Sequence, residues 1–175
     1  MPHPPPDLKP KKPAPAGLPI AAFQALLPPR GALFGLDLGT KTIGVALSDI
    51  TRTIASPFDT VRRVKFSLDV KQLLGWAARH QVAGLVLGLP VNLDGSEGPR
   101  AQATRAFARN LVPLTDLPLM FWDERLSTQE AERVLLDADQ SRRRRAEVID
   151  KMAACIILQG AIERMRGLQT RGPAP

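Results

Sequence analysis

The sequence predicts an α/β domain, with a mixed five-stranded sheet and helices on both faces. Three observations carry that prediction. Residues 33–38 and 42–48 are apolar segments flanking the tight turn Gly39-Thr40-Lys41, which reads as a hairpin of antiparallel neighbours. Residues 83–89, Ala-Gly-Leu-Val-Leu-Gly-Leu, form a continuous apolar run, typical of a strand covered on both faces. Beyond that run, strand and helix patterns alternate, so parallel strands joined by helical crossovers follow the antiparallel start. The expected order is β-β-β-α-β-α-β-α-α.

Each element has a local cause. Residues 1–30 hold ten of the 17 prolines, with Lys9, Lys11 and Lys12 among them. Such a segment buries too little apolar surface to order itself, so it is expected as a disordered extension preceding a domain over 31–166. Within it, residues 20–27 are apolar enough for a short helix that docks on the body or on a partner. Residues 54–60 suggest a third strand, with Pro57 placing it at an edge. Ser67 is a candidate N-cap for a helix carrying Val70, Leu73, Leu74, Ala77 and Ala78 on one face. After the loop 90–99, mobile by its glycines Gly95 and Gly98, a helix runs to about residue 111 and a strand spans 117–123. Ser127 and Glu130 form a capping box for a helix with Ala131, Val134, Leu135 and Ala138 inward. Residues 139–145 read as a charged loop, 146–166 as a long last helix, and 167–175 as a loose tail.

The balance of charge is basic. The 175 residues carry a formal net charge of +7, which favours a polyanionic partner, with nucleic acid first. A single cysteine, Cys155, excludes an internal disulfide, and its apolar helical surroundings suit a buried, inert thiol. Two histidines, His3 and His80, cannot build a Cys/His zinc site. No apolar run approaches the roughly 18–20 residues of a membrane span, and no signal peptide is evident, so a cytoplasmic location without membrane contact is expected.

The chemistry is expected at strand ends. Asp37 closes the first strand, and a carboxylate there is costly unless something compensates it. The pair Asp123-Glu124 follows the last strand. Asp150 lies early in the last helix, at the border of an apolar stripe of Ile149, Met152, Ala153, Ile156, Ile157 and Gly160, with Glu147 on its own face. Acids from two strand ends and a helix, with no histidine nearby in sequence, suit a hard cation such as Mg²⁺ or Mn²⁺, which takes oxygen ligands. Such ions can activate water for phosphodiester hydrolysis. Thr40, Lys41, Asn92 and Arg125 are candidate phosphate contacts, and Arg142 and Arg143 open a cationic run suited to a nucleic-acid backbone. Gly39-Thr40-Lys41-Thr42 is not a P-loop, because the glycine spacing of that motif is absent. The absence of tyrosine argues against base-stacking platforms.

Four segments resemble a known family: Asp37 to Ala46, Gly88 to Ser96, Asp123 to Thr128 and Asp150 to Leu158. In this order and spacing they are similar to the YqgF (RuvX-like) family of Holliday junction resolvases and pre-16S rRNA nucleases. The resemblance covers about residues 32–165; the proline-rich extension lies outside it. It implies an RNase H-like fold and metal-dependent hydrolysis of phosphodiester bonds, with Asp37, Glu124 and Asp150 as metal-binding, catalytic acids. The implied substrate is precursor rRNA or branched or single-stranded DNA. Resolving a four-way junction needs two active sites, so a homodimer is expected for that role. Two other functions compete. A non-catalytic nucleic-acid-binding factor is disfavoured by the full set of acids. An ATP-binding protein of the actin and sugar-kinase type, whose phosphate loop Asp-Leu-Gly-Thr also resembles, needs two lobes where this chain has room for one.

Overall fold

The computed structural model describes residues 17–127 and 142–171, the side chains of 142–147 excepted. Helix α1 (Ile20–Leu26) leads into strands β1 (Ala32–Leu38), β2 (Thr42–Ser48) and β3 (Ala55–Arg62). Helix α2 (Phe66–Arg79), strand β4 (Val82–Leu89), helix α3 (Pro99–Leu111) and strand β5 (Leu119–Asp123) follow, and helix α4 (Arg142–Thr170) ends the described chain. The sheet has five strands in the order β3-β2-β1-β4-β5. β1 pairs antiparallel with β2 and β2 with β3, whereas β1–β4 and β4–β5 are parallel. β3 is an edge, and the register shifts where Pro57, which has no N–H to give the ladder, lies opposite Ala46.

Side-chain alternation gives the sheet two different faces. Phe34, Leu36, Ile43, Val45, Leu85 and Leu87 pack with Val70, Leu73 and Phe107 of α2 and α3. The opposite face presents Leu33, Ala46 and Val86 to α1 and α4, and its neighbouring positions are the glycines Gly35, Gly44 and Gly88. A β-carbon at Gly35 would lie 2.6 Å from the Ala154 carbonyl oxygen, and one at Gly44 only 2.1 Å from that of Asp150. The glycines therefore let α4 lie directly on β1 and β2, with backbone against backbone.

Several expectations change. Residues 18–30 belong to the folded body: the Leu18 N–H donates to the Leu119 carbonyl at 3.1 Å, and α1 buries Phe23 completely. The short apolar helix expected there does dock. Ser67 is not the cap of α2, which starts one residue earlier. The buried Asp69 carboxylate instead accepts the Val64 N–H at 3.1 Å, a stronger acceptor reaching back over the first turn. Ala78 is exposed and off the inward face. β5 begins at Leu119, two residues late.

The last helix begins at Arg142, so the charged loop does not reach 145, and it runs through the expected tail to Thr170. Its buried stripe is Ala154, Ile157, Leu158, Ala161, Ile162 and Met165, one residue out of phase with the stripe expected. Ile149 is 42% exposed. Asp150, four residues before Ala154, is thus on the sheet-facing side and not at its border. The capping box at Ser127 and Glu130 and the helix over 131–138 lie outside the described residues, as does the extension before residue 17.

Candidate active site

Asp37, near the end of β1, is flanked by Asp150 of α4 and by Glu124, just after β5, each close enough to act on its charge. Asp37 is the sixth residue of β1 and faces α4, opposite Gly44 in the β1–β2 register. The absence of a side chain at Gly44 admits the Asp150 backbone. The Thr42 hydroxyl, two residues earlier on the same face of β2, donates to Asp150 Oδ2 at 2.5 Å and fixes that carboxylate toward the sheet. Glu124 opens the 3₁₀ turn Glu124–Leu126 that ends β5. Its Oε1 lies 2.7 Å from the place a β-carbon would take at Gly88, so Gly88 clears the space Glu124 occupies.

Electrostatics ties the acids together. Burial, then the negative charge of Asp150, pushes the Asp37 carboxyl up to about 6. Burial, then Asp37, pushes Glu124 up to about 7. Arg100 draws both back toward ionisation. Asp123 behaves oppositely. It caps the 3₁₀ turn by accepting the Arg125 N–H at 3.0 Å, and it binds the Arg125 guanidinium through Nε at 3.1 Å and Nη2 at 2.7 Å. Those hydrogen bonds hold its carboxyl below the ordinary carboxylate range. Of the two adjacent acids, Glu124 thus faces Asp37 and Asp123 is committed to Arg125.

These raised values fix a pH dependence. Between about pH 4 and pH 7 the folded chain without metal binds more protons than the unfolded chain, so stability falls as pH rises through that window. In chelator, the melting temperature of the wild type is expected to drop more between about pH 5 and pH 8 than that of the double variant Asp37→Asn/Glu124→Gln. Equal drops would contradict the coupling.

The proposed phosphate contacts divide into groups. Thr40 and Lys41 are exposed in the β1–β2 turn beside Asp37. Asn92 sits in the β4–α3 loop, and the loop expected to be mobile is closed by hydrogen bonds: Asn92 N–H to the Ser96 carbonyl at 2.9 Å and Asn92 Nδ2 to Ser96 Oγ at 3.0 Å. Gly95, at φ +86°, provides the left-handed residue of that turn. Arg125 is nearby but paired with Asp123. Arg142 and Arg143 open α4, and their side chains lie outside the described residues.

Two residues were missed. Arg100, in the first turn of α3, is close enough to influence both Asp37 and Glu124; its place just after the Gly-Pro that starts a helix behind the β4 loop was the available signal. Arg63 donates its backbone N–H to the Lys41 carbonyl at 2.9 Å and its guanidinium to the Gly39 carbonyl at 2.6 Å, bracing the turn that carries Thr40 and Lys41. No sequence signal pointed to that contact.

The candidate donors are carboxylate and hydroxyl oxygens only, which fit a hard divalent cation in chemistry. The mutual repulsion of Asp37 with its two acidic neighbours is what such a charge would relieve. Among the described residues, no three His, Cys, Asp or Glu side chains already stand together at ligating separation.

Comparison with known proteins bears on the family and the fold. A RuvX family profile, described as Holliday junction resolvase, matches residues 31–164. A Rhodobacter capsulatus protein named "Putative pre-16S rRNA nuclease" is 66% identical over 146 residues, 83% of this chain and 92% of its own. A Ruegeria pomeroyi protein of the same name is 60% identical, covering 85% of this chain and 97% of its own. In fold, the chain is similar to Thermus thermophilus RuvC solved with a Holliday junction substrate, at a TM-score of 0.51 and 13% identity, covering 78% of this chain and 96% of that one. The RNase H-like architecture is therefore shared, and no helix among the described residues is long and apolar enough to cross a membrane. With a profile matching residues 31–164 and relatives 60–66% identical over most of its length, this chain belongs to the RuvX family.

Proposed function

We propose that the chain is a divalent-metal-dependent nuclease that hydrolyses phosphodiester bonds, processing the precursor end of 16S rRNA or cutting branched DNA. The observation that carries this reading is the placement of Asp150 and Glu124 close enough to Asp37 to act on its charge, with the Asp37 and Glu124 carboxyls raised by burial and by acidic neighbours, in a family whose profile is described as Holliday junction resolvase. A bound Mg²⁺ or Mn²⁺ would supply charge neutralisation and a more acidic water.

The residues have separable tasks. Asp37 and Asp150 would hold the cation, and Glu124 would complete its shell or orient the attacking water. Thr42 keeps the Asp150 carboxylate aimed at the sheet. Thr40, Lys41 and Asn92 line the approach to the acids, with Lys41 a point charge for backbone phosphate. Arg125 serves mainly to hold Asp123 away from Asp37. Thr42→Val is expected to weaken Mn²⁺ activation roughly 10- to 100-fold, the usual effect of removing a group that orients a ligand. A Mn²⁺ titration of cleavage, with the melting temperature as control, checks it, and an unchanged midpoint would contradict the role.

The function is tested by offering precursor 16S rRNA, single-stranded DNA and a four-way DNA junction with Mg²⁺ or Mn²⁺. The names carried by the relatives favour rRNA, and a cut junction would require a dimer. That no three acids stand at ligating separation among the described residues is the one observation that favours a non-catalytic nucleic-acid-binding factor. Cleavage of none of the three, with binding indifferent to chelator, would establish that reading instead.

A further inference from the structure

We propose that Arg100 binds a backbone phosphate of the nucleic acid next to the one being cut, in the cleft it shares with Asn92, Glu124 and Arg125. The inference rests on the nuclease reading and adds a substrate-positioning residue to it. The cleft has a volume of about 380 Å³ and borders Glu124 directly. Its walls are built. The 92–96 turn closes one side through the hydrogen bonds given above, with Asp94 Oδ1 accepting the Ser96 N–H at 2.9 Å. The end of the loop is pinned to α3 by Glu97, which takes both Nε and Nη2 of Arg105 at 2.6 Å. Gly98 and Pro99 also line the cleft.

The guanidinium groups around this cleft are not equivalent. Arg105 is bound by Glu97 and Arg125 by Asp123, each through a two-pronged fork. Arg100 is exposed and makes no side-chain hydrogen bond or ion pair among the described residues. It is nonetheless near enough to Asp37 and Glu124 to influence both. An arginine left unpaired beside two acids, in a cleft with preformed walls, has the donor geometry for non-bridging phosphate oxygens. It also offsets the repulsion that those acids exert on an approaching polyanion. The ligand class is thus a phosphodiester backbone. Bases are not read here, because the cleft offers no aromatic surface for stacking.

The test separates binding from cutting. Asp37→Asn and Asp37→Asn/Arg100→Ala are titrated in chelator with a single-stranded oligonucleotide over a range of salt, while wild type and Arg100→Ala are assayed for cleavage with Mn²⁺. We expect Arg100→Ala to weaken binding about tenfold and to reduce the slope of log affinity against log salt by about 0.7, one phosphate contact. Arg100→Lys should recover the slope but only part of the affinity, and KM should rise more than kcat falls. Equal affinity and slope with and without Arg100, or no binding by the Asp37→Asn parent, overturns the inference. If wild type cuts and Arg100→Ala cuts equally well, this inference fails alone. If wild type cuts nothing, the nuclease reading fails with it.

Discussion

Asp37→Asn is expected to lower cleavage roughly a thousandfold while leaving the fold intact. Asparagine keeps the size and one oxygen but removes the charge, so several kcal/mol of cation and transition-state stabilisation disappear at about 1.4 kcal/mol per tenfold. The same change removes repulsion. Asp37 is pushed up to about 6 by burial and by Asp150, so the metal-free variant should be at least as stable as wild type at neutral pH. Loss of activity with an equal or higher melting temperature is the signature of a functional acid. A variant that melts early, or one that cuts at the wild-type rate, would contradict that assignment. Glu124→Gln is expected to behave in the same way, and Asp123→Asn differently: it releases Arg125 and should cost much less activity.

Gly44→Ala is expected to be the most damaging small substitution outside the acids. A methyl group there would stand 2.1 Å from the carbonyl oxygen and 2.4 Å from the carbonyl carbon of Asp150. Both are backbone atoms, so no rotamer change relieves the clash and α4 must move off the sheet. Overpacking of this kind costs about 3 kcal/mol, or on the order of 10 °C in melting temperature for a chain of this size. The displaced segment carries Asp150, and a shift of about 1 Å in a catalytic group can cost about a hundredfold in rate. Gly75→Ala is the control. It lies in α2 with nothing within 4 Å of the added carbon, and better helix propensity should stabilise it by about 0.5–1 kcal/mol. Equal melting temperatures for Gly44→Ala and wild type would show that the close approach of α4 is not needed.

The contrast between these glycines shows what the sequence could and could not reveal. The β1–β2 hairpin and β4 were legible because alternation and continuous apolarity report burial directly. The mixed sheet followed from their order. Because Ile156, Ile157 and Leu158 are all apolar, periodicity alone does not choose the stripe of α4. The choice is made by Gly35, Gly44 and Gly88, whose shared face appears only once the strands are in register. Asp37 and Asp150 could be nominated from strand-end position and motif. Nothing in the dipeptide Asp123-Glu124 says which acid turns inward. The 3₁₀ turn decides it by capping on Asp123 and pairing that carboxylate with Arg125. Sequence position alone does not single out Arg100 because its significance is relational: among the described residues, Arg105 and Arg125 are neutralised by acids at short range, and Arg100 is not.

The claim underlying all of this is that Asp37, Glu124 and Asp150 share a divalent cation. Binding of Mn²⁺ can be followed by the loss of its free-ion paramagnetic resonance signal, with a nuclease-resistant phosphorothioate oligonucleotide present to supply phosphate ligands. Wild type should deplete the free signal, and Asp37→Asn, Glu124→Gln and Asp150→Asn should each require substantially more protein to do so. A wild-type chain that leaves the Mn²⁺ signal unchanged, or three variants that bind as well as wild type, would contradict the metal centre.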